Sequence, residues 1–500
     1  MPASGRKQGR KIAPQVIAVR LSDHVALEGQ ADGNVVARFQ GYAQRLGKFA
    51  LATVKRLPEL RTGLPLASMA RGRAGDKEIN LLVQRLARSG LLEYRLGPAR
   101  GSRDSVVIEP QLADYSPQIS KIANTDTIAL SRFAYLRRRG TELVLESPRA
   151  SALFRIADPK MAAALVTLST PQKISRYRKE RGFPGLEFLG LLMDCQILFK
   201  LGAGDTDGLR PSEGDSSLVL WDFHDLLFHT HSTEGRQANP IGGLYSYSDL
   251  MAPLPAVRPP WPGKAIGLDS ADLDGVVTPP PSPFAALLDA RHSIRDFDDR
   301  HPITLGELAT LLQTTARVRA KWTAPSDMGE EGPEVSYASR PYPSGGAAYE
   351  LELYLAVNQC EGLARGFYHY NAERHALTPI EVRPDDLDAQ LSDAEFAIGA
   401  SGAPQVLIVI AARFGRVSWK YSSVAYSLIL KDVGVLTQTL YLAATDMGLG
   451  GCAIGTNNID RFARMTGLEF STEGPVGLFA LGRGVTQGPV QAADDGPQFG

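Results

Sequence analysis

Features that would place this 500-residue chain in a secreted or membrane class are missing from its sequence. Its three cysteines, Cys195, Cys360 and Cys452, are far apart and form no CxxC pair, which argues against a disulfide framework and favours a reducing compartment. The sequence has no run of about 18 apolar residues, so we expect no membrane-spanning helix. The basic N-terminus is followed by a short apolar run broken at Pro14, which is not a secretory signal, and we expect a cytoplasmic protein.

The chain also lacks net charge, because 54 Lys and Arg balance 54 Asp and Glu. The two signs are unevenly distributed along it. Residues 1–200 contain 33 Lys and Arg and 17 Asp and Glu, a net +16, whereas residues 201–500 contain 21 and 37, a net −16. A basic half joined to an acidic half indicates two roles. The basic half could bind nucleic acid or an acidic peptide, or could simply present solvated basic surfaces.

The basic half shows the order of elements that is typical of winged-helix domains. Residues 76–90 have an amphipathic helical pattern that ends at Gly90, and two short alternating segments follow as a hairpin. A similar series of predicted helices begins at residue 151 and ends in a strand. We therefore predict two winged-helix units, in residues 1–125 and 126–205. Such units can place a basic helix on DNA or accept a peptide as an added strand.

Residues 206–282 are predicted to connect and wrap domains. Their start is polar and glycine-rich, as flexible linkers are, and their end is rich in proline. His224, His229 and His231 lie between these parts, but no nearby Cys or Glu completes a zinc-binding spacing. We therefore expect no metal site, and histidines that pack or form hydrogen bonds.

From residue 283 the pattern alternates between helix and strand, which predicts an α+β domain over residues 283–485 and an acidic tail over residues 486–500. The longest element is a helix over residues 425–447, where apolar residues recur every three or four positions. Gly448 ends this helix, a Lys-Tyr pair precedes it, and a glycine-rich loop follows it. This helix therefore connects a candidate proton-transfer pair to a candidate cofactor-binding loop.

Arg291, Ser293 and Arg295 alternate along the chain at the start of this domain. Arginine supplies forked planar donors and serine adds a directed one, so the three side chains could surround a phosphate. The pattern is short and is weak by itself. Lys420 and Tyr421 form another candidate pair, because a lysine or a phenol can move protons. Judged by spacing alone, a surface lysine and a packed tyrosine are the more common interpretation.

Two glycine-rich patches could bring the backbone close to a ring or an anion. Ser344 and Gly345 belong to a Pro-Ser-Gly-Gly turn, which in isolation is as often an ordinary turn. Leu449, Gly450 and Gly451 follow the long helix, and their surroundings match the dinucleotide pattern GxGxxA. That fingerprint requires a strand before it and a helix after it, so we reject the dinucleotide interpretation.

Taken together, the patches resemble the nitroreductase-like flavoproteins. They resemble more closely the SagB-type azoline dehydrogenases, which include the thiazole and oxazole oxidases of peptide natural-product pathways. The resemblance covers about residues 215–485 and rests on the long helix and on the segments DLLFHTHS, APLPAV, RHSIRDF, RPYPSGGA, WKY and GLGG. The basic front half also resembles the leader-peptide clamps of such oxidases.

The resemblance implies an α+β chain with a C-terminal nitroreductase-like FMN fold, preceded by tandem winged-helix, peptide-clamp-like units. It implies catalytic roles for Lys420 and Tyr421, with the lysine charge activating the phenol as a base. A homodimer is expected, because in this family the Ser-Gly loop commonly meets the flavin of the second subunit. The implied FMN contacts are Arg291, Ser293, Arg295, Ser344, Gly345, Leu449, Gly450, Gly451 and Arg483.

The implied reaction is the FMN-dependent oxidation of azoline rings in a ribosomally made precursor peptide to thiazole or oxazole, with O2 as the expected electron acceptor. The implied partners are a precursor peptide with its leader and a cyclodehydratase in a synthetase complex. One alternative is an NAD(P)H-dependent nitro or quinone reductase, which would leave the basic half idle. Another is a winged-helix DNA-binding regulator, which would leave the reductase half idle. We expect the basic half to bind peptide rather than nucleic acid.

Overall fold

A computed structural model of the chain divides it into two units, one of residues up to 240 with 458–460 and one of residues 241–457 with those from 461 onward. Among the described residues, no helix is long and apolar enough to cross a membrane. The residues that the structure describes are 15–39, 42–69, 74–98, 104–112, 115–179, 185–202, 213, 216–236, 241–243, 245, 247–268, 282–326 and 332–485.

The first unit combines antiparallel sheets with short helices. Its strands are β1 (Gln15–Leu21), β2 (Ala26–Gly29), β3 (Asn34–Phe39), β4 (Tyr42–Lys48), β5 (Leu64–Pro65), β6 (Leu92–Pro98), β7 (Val106–Pro110), β8 (Thr127–Leu130), β9 (Tyr135–Arg139), β10 (Glu142–Glu146), β11 (Ala152–Ile156), β12 (Gln172–Lys173) and β13 (Leu198–Lys200). Its helices are α1 (Leu51–Val54), α2 (Leu57–Thr62), α3 (Leu66–Met69), α4 (Ala74–Arg88), α5 (Pro159–Thr167), α6 (Ile174–Lys179), α7 (Leu186–Asp194) and α8 (Phe223–His231).

A seven-stranded antiparallel sheet in the order β5-β1-β6-β7-β11-β10-β9 crosses the boundary predicted near residue 125. Strands β7 and β11 pair directly, with Ile108 opposite Phe154. Buried residues from both predicted units, such as Leu86 and Leu189, belong to one hydrophobic core. The two segments therefore share a sheet and a core, and the winged-helix assignment of each stays a prediction.

Residues 152–156 were expected to begin a run of helices, and this expectation is wrong. They form β11, a strand in the interior of the sheet whose side chains are mostly buried. A short apolar run that is buried on both faces has no period that separates strand from helix. Strands β9 and β10 pair as a hairpin, and Gly140 in the turn between them has a φ of +59°.

Helix α4 confirms the amphipathic pattern of residues 76–90. Ile79 and Leu82 are fully buried, and Gly90 has a φ of +66° just after the helix. The guanidinium of Arg85 donates to the carbonyl oxygen of Leu46 and lies over the Phe49 ring, 5.4 Å from its centroid. If α4 were the basic helix that a winged-helix unit places on DNA, one of its cations would already be engaged inside the first unit.

Helix α8, within the region predicted as a linker, belongs to the first unit. His229 of this helix is fully buried and stacks on Trp221, with ring centroids 5.7 Å apart. Burial, with a smaller contribution from Arg236, lowers the pKa of His229 to about 3, so the imidazole is neutral. In the described parts of the chain, no cluster of three or more His, Cys, Asp or Glu could hold a metal ion.

Residues 247–268, which include most of the proline-rich region, contain neither helix nor strand and are largely exposed. The predicted acidic tail, 486–500, lies outside the described residues, as does most of the polar segment 205–218. The boundaries predicted for these connecting regions therefore stay predictions.

The second unit is also mixed α and β, as the sequence predicts. The strands after residue 240 are β14 (Ala320–Pro325), β15 (Glu334–Ser339), β16 (Leu351–Val357), β17 (Gly366–Asn371), β18 (Ala376–Ile380), β19 (Val406–Arg413), β20 (Gly450–Ile454) and β21 (Glu473–Gly482). The helices are α9 (Pro283–Ala290), α10 (Leu305–Ala316), α11 (Pro384–Ile398), α12 (Gly415–Ser418), α13 (Ala425–Asp446) and α14 (Ile459–Thr466).

The core of this unit is a six-stranded antiparallel sheet, in the order β18-β17-β16-β19-β21-β20. Helices α11 and α14 cover the face that includes Tyr354 and Leu478. Successive side chains of a strand alternate between faces, so Gly477 and Phe479 lie on the opposite face. The long helix α13 packs there, and a Cβ at Gly477 would be 2.8 Å from Val433 Cγ1. The helix therefore approaches the sheet closely where glycine replaces a side chain.

The glycine-rich segment after α13 was predicted as a loop, and this prediction is wrong. Gly448 makes the turn with a φ of +67°, but Gly450 and Gly451 already belong to strand β20, which pairs with β21. A Cβ at Gly450 would lie 2.7 Å from the Ile294 side chain, and one at Gly451 would lie 2.3 Å from the Phe479 ring. These glycines permit close packing inside a strand. The same glycine-rich sequence is also typical of a loop, so the pattern alone does not distinguish the two.

Candidate active site

One group of predicted cofactor contacts gathers around Tyr441 on the long helix α13. The hydroxyl oxygens of Ser293 and Tyr441 are 2.9 Å apart, and the amide of Ala453 donates to the Tyr441 hydroxyl over 2.8 Å. The Arg291 guanidinium lies over the Tyr441 ring, 5.2 Å from its centroid. Because the amide must donate, the phenol can give its own proton to Ser293. The serine proton is then available for a further acceptor.

Backbone pairing fixes the segment that carries these residues. The amide of Ile294 donates to the carbonyl of Gly451 over 2.9 Å, and the amide of Asp298 donates to the carbonyl of Arg483 over 2.8 Å. Arg291 is partly exposed and Arg295 is exposed. No carboxylate of the described residues forms an ion pair with either arginine. Two uncompensated guanidinium groups and a serine hydroxyl form a donor set that suits a phosphate.

Arg483 follows strand β21, as predicted, but its guanidinium already has partners. Nη2 lies 2.7 Å and 2.8 Å from the two carboxylate oxygens of Glu307, and Nε donates to the carbonyl of His301 over 3.0 Å. A phosphate at this place would have to share the arginine with Glu307. The phosphate-binding role of Arg483 therefore stays a prediction. Leu449 is buried beside the β20 glycines, and its cofactor role is likewise untested.

A second group gathers around Asp432, nearer the start of α13. Asp432 accepts hydrogen bonds from the Ser344 hydroxyl over 2.8 Å and from the Gly345 amide over 2.9 Å. The Ser344 oxygen in turn accepts from the Tyr349 amide over 3.0 Å. Arg416 donates to the carbonyl of Ala348 over 3.0 Å. Four contacts thus anchor the loop Ser344–Ala348.

Tyr421 meets the same loop. Gly346 has a φ of +61°, and a Cβ there would be 2.3 Å from the Tyr421 hydroxyl oxygen. The phenol therefore packs on a position where only hydrogen is tolerated. Lys420 is exposed, and its Nζ is 5.5 Å from the centroid of the Tyr421 ring. The pair lies in the connection between α12 and α13, just before the helix that it was predicted to enter.

The two groups are separated along one helix. Asp432 and Tyr441 are nine positions apart, which corresponds to about 13 Å of axial rise at 1.5 Å per residue. The loop of Ser344 and Gly345 is anchored at one of these positions, and Ser293 is anchored at the other. A single chain therefore presents the predicted cofactor residues as two separate groups.

Three residues of these groups were missed by the sequence interpretation: Tyr441, Asp432 and Glu350. Asp432 carried a usable signal, because it falls on the apolar stripe between Ile429 and Leu436 and is 6% exposed. An acid on a buried stripe needs a polar partner. Glu350 is fully buried before β16, and burial followed by the neighbouring Asp432 raises its pKa to about 7. Neither Tyr441 nor Glu350 belongs to a recognisable spacing.

Comparison with known families agrees with this division of the chain. Residues 288–483, which belong to the second unit except for 458–460, match the nitroreductase family. Residues 128–238, in the first unit, match the family described as cyanobactin oxidase ThcOx. The chain therefore combines a nitroreductase-family domain with a cyanobactin-oxidase region, and it is an oxidoreductase. The resemblance to nitroreductase-like oxidases is confirmed, together with the α+β fold class.

Individual relatives match shorter stretches. A Methanocaldococcus jannaschii protein named as a nitroreductase is 28% identical over 169 residues, which are 34% of this chain and 76% of that protein. The trifolitoxin-processing protein TfxB of Rhizobium leguminosarum bv. trifolii is 32% identical over 111 residues, 21% of this chain and 30% of TfxB. The microcin B17-processing protein McbC of Escherichia coli is 30% identical over 122 residues, 23% of this chain and 44% of McbC. The chain thus spans less than half of each peptide-processing relative.

Proposed function

We propose that this protein oxidises azoline rings in a ribosomally made precursor peptide to thiazoles or oxazoles, with FMN as its cofactor. The observation that carries the proposal is the presence, in one chain, of a cyanobactin-oxidase region and a nitroreductase-family domain. The names of TfxB and McbC, which process trifolitoxin and microcin B17, support a peptide substrate. A reductase of small molecules would need only the second of these regions.

The donor set around Tyr441 supports FMN. Arg291, Ser293 and Arg295 would hold the phosphate, and the packed glycines Gly450 and Gly451 would let the backbone come close to the cofactor. FMN, when bound, supplies the two-electron acceptor for the oxidation. The other tasks fall to the chain, which must orient the azoline, exclude water and remove a proton.

Tyr421 is the proposed base. Converting an azoline to an azole removes two electrons and two protons, and one of these protons leaves a ring carbon before the product becomes aromatic. The Tyr421 phenol, packed on Gly346 and below the Lys420 ammonium, would accept that proton. Lys420, whose Nζ is 5.5 Å from the centroid of the Tyr421 ring, would place a positive charge beside the base. The loop that Asp432 fixes would keep the phenol in place.

The separation of the two groups along α13 supports a homodimer. If Arg291 and Ser293 of one subunit hold the phosphate, the loop of Ser344 and Gly345 that completes the site can come from the second subunit. Light scattering on the flavin-loaded protein should then give twice the 54.0 kDa chain mass. A flavin-loaded monomer would contradict this arrangement.

The first unit is the proposed site for the leader of the precursor peptide. Among the described strands, β9 is an edge of the seven-stranded sheet, and an extended peptide can add to such an edge. Arg137 and Arg139 pair with Glu146 and Glu109, whereas Arg138 faces the other side of the strand and has no carboxylate partner among the described residues. An acidic leader would complement this charge. A cyclodehydratase that makes the azoline is a proposed partner in the same complex.

Arg138→Glu in the full chain tests the leader site, with Arg61→Glu, an exposed arginine of α2, as the control. We expect the β9 variant to raise KM for a leader-bearing azoline peptide by about tenfold, while kcat and flavin content stay unchanged. The control should leave all three unchanged. Equal KM values for both variants would remove β9 as the leader site. Specific duplex DNA binding without peptide binding would instead favour a regulator.

A further inference from the structure

Two buried carboxyl groups meet at one serine hydroxyl beneath the loop Ser344–Ala348. Glu350 is fully buried and Asp432 is 6% exposed. The Ser344 oxygen lies 2.8 Å from Asp432 Oδ2 and 3.3 Å from Glu350 Oε2. A serine hydroxyl has a single proton and can donate to only one of the two carboxyl groups at a time. The other contact therefore needs a proton from elsewhere.

The charges that face this pair do not compensate two carboxylates. Asp432 contributes from α13, and Ser344 contributes a neutral hydroxyl from the loop. Tyr342, two residues before the loop, is a further neighbour of both carboxyl groups. Arg416 of α12 directs its guanidinium to the carbonyl oxygens of Ala348 and Ser336, and no ion pair joins it to either carboxyl group in the described parts of the chain. Arg416 still interacts electrostatically with Glu350. One cation does not neutralise two buried carboxylates, and neighbouring carboxyl groups relieve the remaining repulsion by keeping one proton.

We propose that Glu350 and Asp432 share one proton at neutral pH and, as a protonated-acid and carboxylate pair, act as positioning residues for the loop that carries Ser344 and Gly345. Asp432 is the ionised member, because it accepts from both the Gly345 amide and the Ser344 hydroxyl. Glu350 is the protonated member, because its Oε1 is buried and accepts no hydrogen bond from the described residues. The consequence for flavin binding rests on the proposed function.

Loss of the shared proton would loosen the loop. Burial and Asp432 place the pKa of Glu350 at about 7, above its ordinary value of 4.5. A carboxyl group whose pKa is raised in the folded state stabilises that state at low pH, and this contribution disappears as the pH rises from about 4.5 through about 7. Above neutrality, repulsion between the two carboxylates would weaken the anchor of Gly345. Tyr421, which packs on Gly346, would lose its support with it.

The test uses the full-length protein without added flavin and follows hydrogen exchange in the peptide spanning residues 342–349 between pH 5 and pH 9. The variants are Glu350→Gln, which keeps a neutral donor of the same shape, and Asp432→Asn, which removes the anion. Glu352→Gln is the matched control, since Glu352 is two residues further along and pairs with Arg340 and Arg413 rather than with Ser344. Dividing each wild-type rate by the Glu350→Gln rate cancels the intrinsic pH dependence of exchange.

We expect this ratio to rise roughly tenfold or more from pH 5 to pH 9. The Glu352→Gln protein should follow the wild type, and Asp432→Asn should exchange faster than the wild type at pH 6. A flat ratio would overturn the shared proton. In a second measurement, FMN affinity of the wild type relative to Glu350→Gln should fall as the pH rises through about 7, which cancels the titration of the FMN phosphate itself, and Asp432→Asn should bind FMN about tenfold more weakly than the wild type at pH 6.

The two measurements separate the possible failures. If no variant or wild-type protein binds FMN, the proposed function fails, while the exchange ratio still decides whether the proton is shared. If FMN binds Asp432→Asn and the wild type equally, the positioning role is overturned even when the exchange ratio rises. If both measurements follow the expectation, the pair is a positioning element for the flavin loop.

Discussion

Replacing Gly346 with alanine tests the contact between the loop and the proposed base. Gly346 has a φ of +61°, and its Cβ would be 2.3 Å from the Tyr421 hydroxyl oxygen and 3.2 Å from two ring atoms. Carbon atoms in good contact are about 3.5–4.0 Å from their neighbours, so the phenol has to move by about 1 Å. A displacement of that size at a reacting group can reduce turnover about 100-fold. The left-handed backbone adds about 1–2 kcal/mol of instability.

Gly399→Ala provides the matched control for the stability that is lost when alanine is placed at a positive φ. Gly399 ends helix α11 with a φ of +63°, and an added Cβ would meet nothing within 4 Å. Both variants should therefore lose similar stability from their φ values, whereas turnover should fall in Gly346→Ala alone. The assay is steady-state azoline oxidation at equal flavin loading, with thermal unfolding measured beside it.

The double variant Gly346→Ala, Tyr421→Phe separates the steric effect from the chemical one. Removing the phenol oxygen removes the closest clash, so part of the lost stability should return, but turnover should stay low because the base is gone. Wild-type turnover in Gly346→Ala would refute the argument. It would mean either that the loop and Tyr421 are not in contact during catalysis or that Tyr421 is not the base.

The remaining predictions concern the two groups along α13. Tyr421→Phe and Lys420→Ala should each reduce turnover by about 100-fold to 10,000-fold with FMN retained. The double variant should be little slower than the slower single variant, because the effects of substituting residues that act as a unit are not additive. If both single variants turn over normally, the pair is structural. Tyr441→Phe should weaken FMN binding about tenfold by removing the partner of Ser293, as measured by flavin titration, and unchanged affinity would exclude a role for this hydroxyl.

The long helix could be predicted from the sequence because its apolar stripe extends over six turns, and the predicted range 425–447 differs from the observed Ala425–Asp446 by one residue. The strand conformation of β11 and of the β20 glycines could not be predicted from the sequence, since both strands depend on contacts with residues far along the chain. Ile294 and Phe479 explain why Gly450 and Gly451 lack side chains, and neither is near them in sequence.

The residues that could bind the cofactor or react could be predicted from the sequence, but the residues that position them could not. Arg291 and Ser293 could be singled out by their chemistry, whereas the Tyr441 hydroxyl that joins Ser293 to the β20 backbone depends on tertiary structure. Asp432 was visible as an acid on an apolar stripe, but its partners in the Ser-Gly loop lie more than eighty residues earlier. Local sequence patterns identify side chains that can react, whereas the residues that position those side chains are determined by long-range packing.

The most direct test of the account is anaerobic reduction of the bound flavin by a leader-bearing peptide that contains a thiazoline. With wild-type protein and no nicotinamide cofactor, the yellow absorbance should bleach, and mass spectrometry should show the loss of two hydrogens from each ring. Tyr421→Phe should bleach about 100-fold or more slowly, since a positioned base typically contributes that much. If the flavin is bleached by NADPH but not by the thiazoline peptide, the protein is a small-molecule reductase and the account is wrong.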